Sequence, residues 1–290
     1  MLAANPLRQG GHYPDPLMHS VPATRQSMNG TKYQKRVSLP FLIAAPGITI
    51  IEWHFECNHS RHQADVRACL FLTVPVPGWK SYEGATRLID LNSEPDAMFA
   101  ALSKGTRYEI NRARRDGVGV SFLANPDGLR LAEFMDYYDA FAVSKGLPRV
   151  HREYLGALAG AGKLAISLAR DTDDSVLAAH SYLVNRPRVR LMHSGSLFRI
   201  EDASAARAQI GRANRLLHWH DLIAFREIGM EYYDFGGWYE GSTNAALLRI
   251  NAFKREFGGE IAKEWSSFQS ASPLGAAYLT LRHLRLRRMG

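Results

Sequence analysis

Tyr233-Asp-Phe-Gly-Gly237 and, a little further on, Phe253-Lys-Arg-Glu-Phe-Gly-Gly259 fall within 27 residues and set the reading of the whole chain. Glu231 to Phe235 carries aromatic strand formers and stops at paired glycines, where a backbone turns sharply or lets a ligand approach. From Ala246 to Phe257, Leu247, Ile250, Phe253 and Phe257 recur at helical spacing, and Gly258-Gly259 supplies the stop. Lys254 lies beside that apolar stripe. Two roles are open to it: its stem lies along apolar surface with the ammonium in solvent, or its charge works on an anion.

Outward from this pair, the periodicity predicts a mixed sheet. Val37 to Ala45, Ile48 to Glu56 and Asp65 to Val74 read as strands, the last two as a hairpin around the polar segment Cys57 to Gln63. A single helix is expected over Glu94 to Asp116, with an acidic, proline-bearing first turn and Gly117 as its exit. Then follow a strand at Val118 to Ala124, helices at Pro126 to Lys145 and His151 to Ala161, and strands at Leu164 to Arg170, Ser175 to Val184 and Arg188 to Ser194. A long helix from Ala203 to Ile228, with Leu216, Leu217, Trp219, Leu222, Ile223 and Phe225 as its core side, leads into Glu231. The order describes an α/β sheet covered by helices.

Composition narrows the class. With 290 residues and 46% hydrophobic content the chain buries one large core or two small ones. No apolar run approaches the roughly 20 residues of a membrane span, and Met1 to Gly30 has no apolar signal core, so a cytoplasmic protein is expected. Cys57 and Cys69 are too few for a disulfide framework, which fits a reducing compartment. The formal charge of +8 falls to +4 once Arg282, Arg285, Arg287 and Arg288 are set aside. That basic tail reads as a peripheral contact with an anionic membrane surface, an RNA contact or a frayed end. The proline-rich stretch from Met1 to Gln34 reads as a poorly ordered arm.

The stretches Leu102-Ser-Lys-Gly-Thr-Arg-Tyr-Glu-Ile-Asn-Arg-Ala-Arg-Arg-Asp-Gly-Val118, Asn214 to Gly229, Tyr233 to Gly237 and Phe253-Lys254 together resemble the FemAB-like branch of the GNAT acyltransferases. The resemblance covers about Asn92 to Trp265. It implies a GNAT-like mixed central sheet flanked by helices, of α/β (α+β) type: a reduced N-terminal GNAT-like portion at 35–116, an acyltransferase domain at 117–270 and a basic tail at 271–290. It also implies transfer of an aminoacyl group from aminoacyl-tRNA to an amine-bearing acceptor, without a covalent enzyme intermediate and without a tightly bound cofactor. Acyl-CoA is the alternative donor, in surface polysaccharide, lipid or specialised metabolite synthesis. The acyl-CoA signature of ordinary family members fits only in its second half, Gly211-Arg212-Ala213, because Ala208 stands where Gln or Arg is required. A non-catalytic RNA or nucleotide-sugar binding module is the reading from outside enzymology.

Acyl transfer to an amine passes through a tetrahedral oxyanion, so the site must stabilise negative charge and let a proton leave. In the resembled family the lysine of the Phe-Lys pair lies by the donor's reacting end, so the resemblance implies that Lys254 stabilises the developing negative charge or a neighbouring donor phosphate. Asp234 either accepts an ammonium proton or anchors the acceptor amine, or else caps or satisfies backbone amides at the turn. His193 is either a base or a hydrogen-bonded sheet histidine. Phe253, Gly236, Gly237, Ser204, Arg207, Gly211 and Arg212 are expected on the donor, the helix start near Ser204 offering free N–H groups to phosphate. Lys104, Arg107, Asn111 and Arg115 form a basic stripe suited either to solvent or to salt-sensitive phosphate or RNA contact. Cys57, His59, His62 and Cys69 cluster, but not at a common zinc spacing, and His218 and His220 diverge on a helix, so no metal is assigned.

Overall fold

A computed structural model describes residues 32–37, 48–55, 57, 63–197 and 204–289. The chain forms two compact units. The first gathers the described residues up to Thr86, Gly237–Leu248 and those from Ile261 onward; the second holds Arg87–Gly236 and Arg249–Glu260.

The first unit is built on β1 (Lys32–Val37), β2 (Ile48–His54), β3 (Val66–Leu72) and β4 (Lys80–Asp90) as far as Thr86, with β10 (Glu260–Ser270), from Ile261 onward, inserted between β3 and β4. Helix α7 (Pro273–Met289) packs through Leu274, Tyr278 and Leu279 on Ile48, Ile50 and Val66. The expected hairpin is corrected here. β2 and β3 pair in parallel, from Ile50↔Val66 to His54↔Leu70, and β10 takes the other edge of β3 antiparallel. Both strands are largely buried on both faces, and such runs carry no clean alternation to set direction. Cys57 and Cys69 are joined as a disulfide with 5.4 Å between Cα atoms, against the expectation drawn from their low number. His59 and His62, and the segment 38–45 read as a strand, lie outside the described residues, as does the arm before residue 32. The stretch read as arm overlaps β1, which begins at Lys32.

The second unit carries β5 (Gly119–Leu123), β6 (Leu164–Arg170), β7 (Val176–Asn185), β8 (Arg188–Ser196) and β9 (Tyr232–Trp238), in the order β9-β8-β7-β6-β5. Helices α3 (Gly128–Lys145) and α5 (Ser204–Glu227) pack on this sheet. Side chains alternate along β7: His180 and Tyr182 turn to α5, while Ser181 turns to His193 and the α3 side. The helix expected at 94–116 is two, α1 (Pro95–Ala101) and α2 (Lys104–Arg115). Ser103 divides them because its hydroxyl caps α2, accepting the Thr106 N–H at 3.1 Å. Helices α4 (Arg152–Gly160) and α6 (Ala245–Arg255) complete the set. On α5, Leu217 and Phe225 have no exposure and Leu222 has 1%; each such burial contributes about 1.5–3 kcal/mol, which fixes α5 to the sheet. No described helix is long and apolar enough to cross a membrane.

Candidate active site

Strands β8 and β9 run parallel for three rungs, Arg188↔Tyr232, Val189↔Tyr233 and Arg190↔Asp234. Beyond them β8 continues along β7 to the Ala178↔Ser196 rung, with Met192 as an extra residue between the Ser181↔His193 and Tyr182↔Leu191 pairs. The last rung is held by Asp234, whose carboxylate is fully buried. Its Oδ2 accepts Arg188 Nε at 2.9 Å and Arg190 Nη1 at 2.8 Å, and Oδ1 accepts the Gly236 N–H at 2.8 Å. Gly236 has φ of +72°, and a Cβ there would stand 3.3 Å from the Leu191 carbonyl oxygen, so a glycine is required by both backbone and space.

Lys254 joins this turn. Its side chain is 9% exposed, and Nζ donates to the Gly236 carbonyl oxygen at 2.9 Å. The two glycine-flanked segments that opened the sequence reading are therefore in direct contact, and the solvent-exposed reading of Lys254 is set aside. Asp234 faces two guanidinium groups and a backbone amide, which is the turn-satisfying role and not that of an open amine anchor.

Behind Lys254, Glu256 gathers the neighbouring helices. Its carboxylate accepts Thr106 Oγ1 at 2.9 Å and Arg215 Nη2 at 2.9 Å, and its carbonyl accepts the Ser103 N–H at 2.8 Å. Arg87 donates to the carbonyls of Gly258 and Gly259 at 2.7 and 3.0 Å, fixing the end of α6. Phe253 packs into the core against Phe257 and His218, under the Arg215 guanidinium at 5.1 Å.

The expected phosphate-binding set is divided. Lys104, Asn111 and Arg115 are exposed. Arg107 instead donates to the carbonyls of Ala100 and Leu102 at 2.6 and 2.9 Å and closes the end of α1. Arg212 is paired with Asp116 at 3.0 Å. Gly211 lies on α5, its carbonyl accepting from Arg215. Ser204 is exposed at the first turn of α5 and Arg207 is half-buried one turn on; residues 198–203 before them lie outside the described residues.

His193 turns to the α3 side. Its Nδ1 lies 2.8 Å from Ser181 Oγ, and its ring meets Tyr138 edge-on at 4.7 Å. Burial lowers its pKa to about 4, a neighbouring Asp139 opposing the shift, so it is neutral at pH 7 and a weak base. The histidine under the electrostatic influence of Lys254 is His218, on the α5 side, whose pKa is driven well down by burial and by the charges of His180, Arg215 and Lys254. Sequence reading weighed His218 only as a metal ligand. It belongs to a fully buried polar cluster: His218 Nδ1 is 2.9 Å from Tyr233 Oη, which is 3.0 Å from Tyr182 Oη, which donates to Asp221 Oδ2 at 2.5 Å. His180 Nδ1 and Ser167 Oγ reach the same oxygen at 2.8 and 2.9 Å. Burial, then the Asp221 charge, raise both tyrosines well above their ordinary pKa, which keeps the hydroxyls protonated. His180, His218 and Asp221 bring three ligand-type atoms within 4.8 Å. The imidazoles, however, stack at 4.0 Å with 29° between planes, so their in-plane lone pairs do not converge, and hydrogen bonding is the better assignment.

Comparison with known proteins accords with this geometry. The profile of the Acetyltransferase (GNAT) domain matches residues 100–255, which include α2, the β8/β9 pair and Lys254. No curated protein matches the chain by sequence. Among solved structures, FemX has a TM-score of 0.59 over 81% of this chain and 83% of its own, at 12% identity. The C-terminal domain of a putative lysylphosphatidylglycerol synthetase from Agrobacterium fabrum has 0.51 over 86% and 84%, also at 12% identity. L-PGS from Bacillus licheniformis has 0.50 over 90% and 87%, at 11% identity. At these identities the likeness is one of fold, and it accords with the FemAB-like resemblance of the basic helix and the glycine-flanked pair. With a matching domain profile over more than half its length, the chain belongs to the acetyltransferase (GNAT) domain family and is an acyltransferase.

Proposed function

We propose that the chain transfers an aminoacyl group from aminoacyl-tRNA to an amine, forming an amide directly at the Lys254–Gly236 turn, where the β8/β9 ladder ends. The observation that carries this reading is the Lys254 ammonium, held 2.9 Å from the Gly236 carbonyl oxygen at the end of a strand pair locked by Asp234. A cation fixed at the end of a strand ladder is suited to the oxyanion of acyl transfer, because its position is set before the charge develops. Lys254 stabilises that charge, Asp234 positions the turn, and Phe253 fixes α6 against the core. The tRNA assignment is supported by the FemAB-like resemblance, by a fold shared with FemX and with a putative lysylphosphatidylglycerol synthetase domain, and by the exposed Lys104 and Arg115.

Acyl-CoA as donor is the second reading, supported by the family itself and by Gly211-Arg212-Ala213 at the start of α5. Ala208 and the Arg212–Asp116 pair count against it. Equilibrium binding separates the two: wild type and Lys254→Ala are titrated with a charged-tRNA pool and with acyl-CoAs at two salt concentrations. Retention of an aminoacyl-tRNA, weakened steeply by salt, supports the first donor; saturable coenzyme A binding without tRNA retention replaces it with the second.

A further inference from the structure

The buried cluster on the α5 side of the sheet has a direction. Tyr182 spends its only hydroxyl proton on Asp221 Oδ2, so its oxygen accepts the proton of Tyr233. The oxygen of Tyr233 in turn accepts from His218 Nδ1, which must carry the hydrogen. Every donor in the chain points at Asp221, and His218 Nε2 is left as the lone-pair end. Asp221 Oδ1 is fully buried without a hydrogen-bond partner, so the carboxylate retains capacity to stabilise one more proton on the group. The His218 ring lies beside the Lys254 turn: its centroid is 5.0 Å from that of Phe235 and 5.6 Å from that of Phe253, the residues preceding Gly236 and Lys254.

We infer that His218, Tyr233, Tyr182 and Asp221 form a proton relay that drains the reacting centre, with Asp221 as a base acting at a distance. The inference rests on the acyl-transfer reading above. When the amine nitrogen attacks the acyl carbon, its N–C bond forms and an N–H bond must break. That proton, carried over by one water, bonds to His218 Nε2. The Nδ1 proton passes to Tyr233, the Tyr233 proton to Tyr182, and the Tyr182 proton to Asp221 Oδ2. Each intermediate group ends neutral, the carboxylate becomes a carboxylic acid, and the reverse shift after product release restores the start. The charged and titratable groups facing His218 are Arg215 on its own helix, His180 from β7, Tyr233 from β9 and Lys254 from α6. Burial, with the charges of Arg215 and Lys254 beside it, holds His218 neutral, so it passes the proton on and does not store it. His218 does not touch substrate; it and the two tyrosines are positioning residues.

Two measurements on the full chain test the relay. Nitrogen-15 NMR of the imidazoles in wild type is expected to show His218 neutral at pH 7 with its hydrogen on Nδ1, and Tyr233→Phe is expected to release it to the Nε2–H form. A wild-type Nε2–H tautomer reverses the wire and overturns the relay, whether or not the protein transfers acyl groups. The second measurement is transfer from a charged-tRNA pool, or from acetyl-CoA, to glycinamide. Tyr182→Phe and Tyr233→Phe are each expected to lower kcat by about 10²-fold with KM unchanged, and to reduce the solvent deuterium isotope effect on kcat. Folded variants with unchanged kcat and isotope effect also overturn it. Absence of transfer by wild type with either donor counts against the acyl-transfer reading, and the tautomer measurement then decides the relay's wiring by itself.

Discussion

Lys254 Nζ and the Gly236 carbonyl oxygen, separated by 18 positions in sequence, are hydrogen-bonded at 2.9 Å. A long, rotamer-rich side chain is held in one place by this bond and by the burial of its stem, so the position of its charge is fixed in advance. Lys254→Met preserves most of the apolar stem and removes the ammonium. It is expected to lower kcat/KM by roughly 10²–10³-fold, the loss typical of one oxyanion donor, while leaving far-UV circular dichroism unchanged. Steady-state transfer to an amine acceptor measures it.

Asp234→Asn tests the lock on the β8/β9 pair. It leaves two guanidinium groups around a neutral amide in a buried site, and removing one partner of such a cluster costs about 3–5 kcal/mol. Urea denaturation is expected to show a lowered midpoint with little change in slope. Stability within 1 kcal/mol of wild type, on the order of an exposed pair, counts against the lock.

Gly259 has φ of +74°, and a Cβ there would lie 2.2 Å from the Leu88 carbonyl oxygen. Gly259→Ala therefore meets both left-handed backbone strain, about 1–2 kcal/mol, and a backbone collision that only movement relieves. Gly128→Ala, at a helix position with open space around it, is the control and is expected to be neutral or slightly stabilising.

Histidine 193 gives stability a pH dependence of definite sign. Its folded pKa of about 4 lies below the ordinary imidazole value near 6.5, so the unfolded chain binds more protons between them. The contribution is complete above that ordinary value and is lost as pH falls from about 6.5 toward 4, by on the order of 3 kcal/mol at most. His218 shifts in the same direction. Urea unfolding at several pH values is expected to show a shallower slope in His193→Asn than in wild type, and an equal slope assigns the effect elsewhere.

The second unit is legible in the sequence because its elements carry their own signals. The strands at 164–170 and 176–185 and the helix at 204–227 fall within a residue or two of where periodicity places them. The glycine pair and Lys254 are legible for the same reason, each being a local pattern. Strand direction is not local: nothing in the largely buried runs of β2 and β3 separates a parallel pair from a hairpin. β4 escapes because its burial is mixed along its length and Arg87 interrupts the apolar run. The polar cluster around Asp221 escapes because its members come from three strands and a helix, each a common residue at an unremarkable position; only packing assembles them. Arg107 and Arg212 read as ligand contacts because sequence shows a charge but not the carbonyls and the Asp116 that occupy it.

The grip of Arg188 and Arg190 on Asp234 has a consequence for descent. Three side chains on two strands share one charge balance, so a neutral residue at any one position leaves the others mismatched in a buried site. Related chains that keep this strand pair are expected to retain all three or to exchange them together, and drift at positions 188, 190 and 234 should be correlated where drift at the exposed Lys104 and Arg115 is independent.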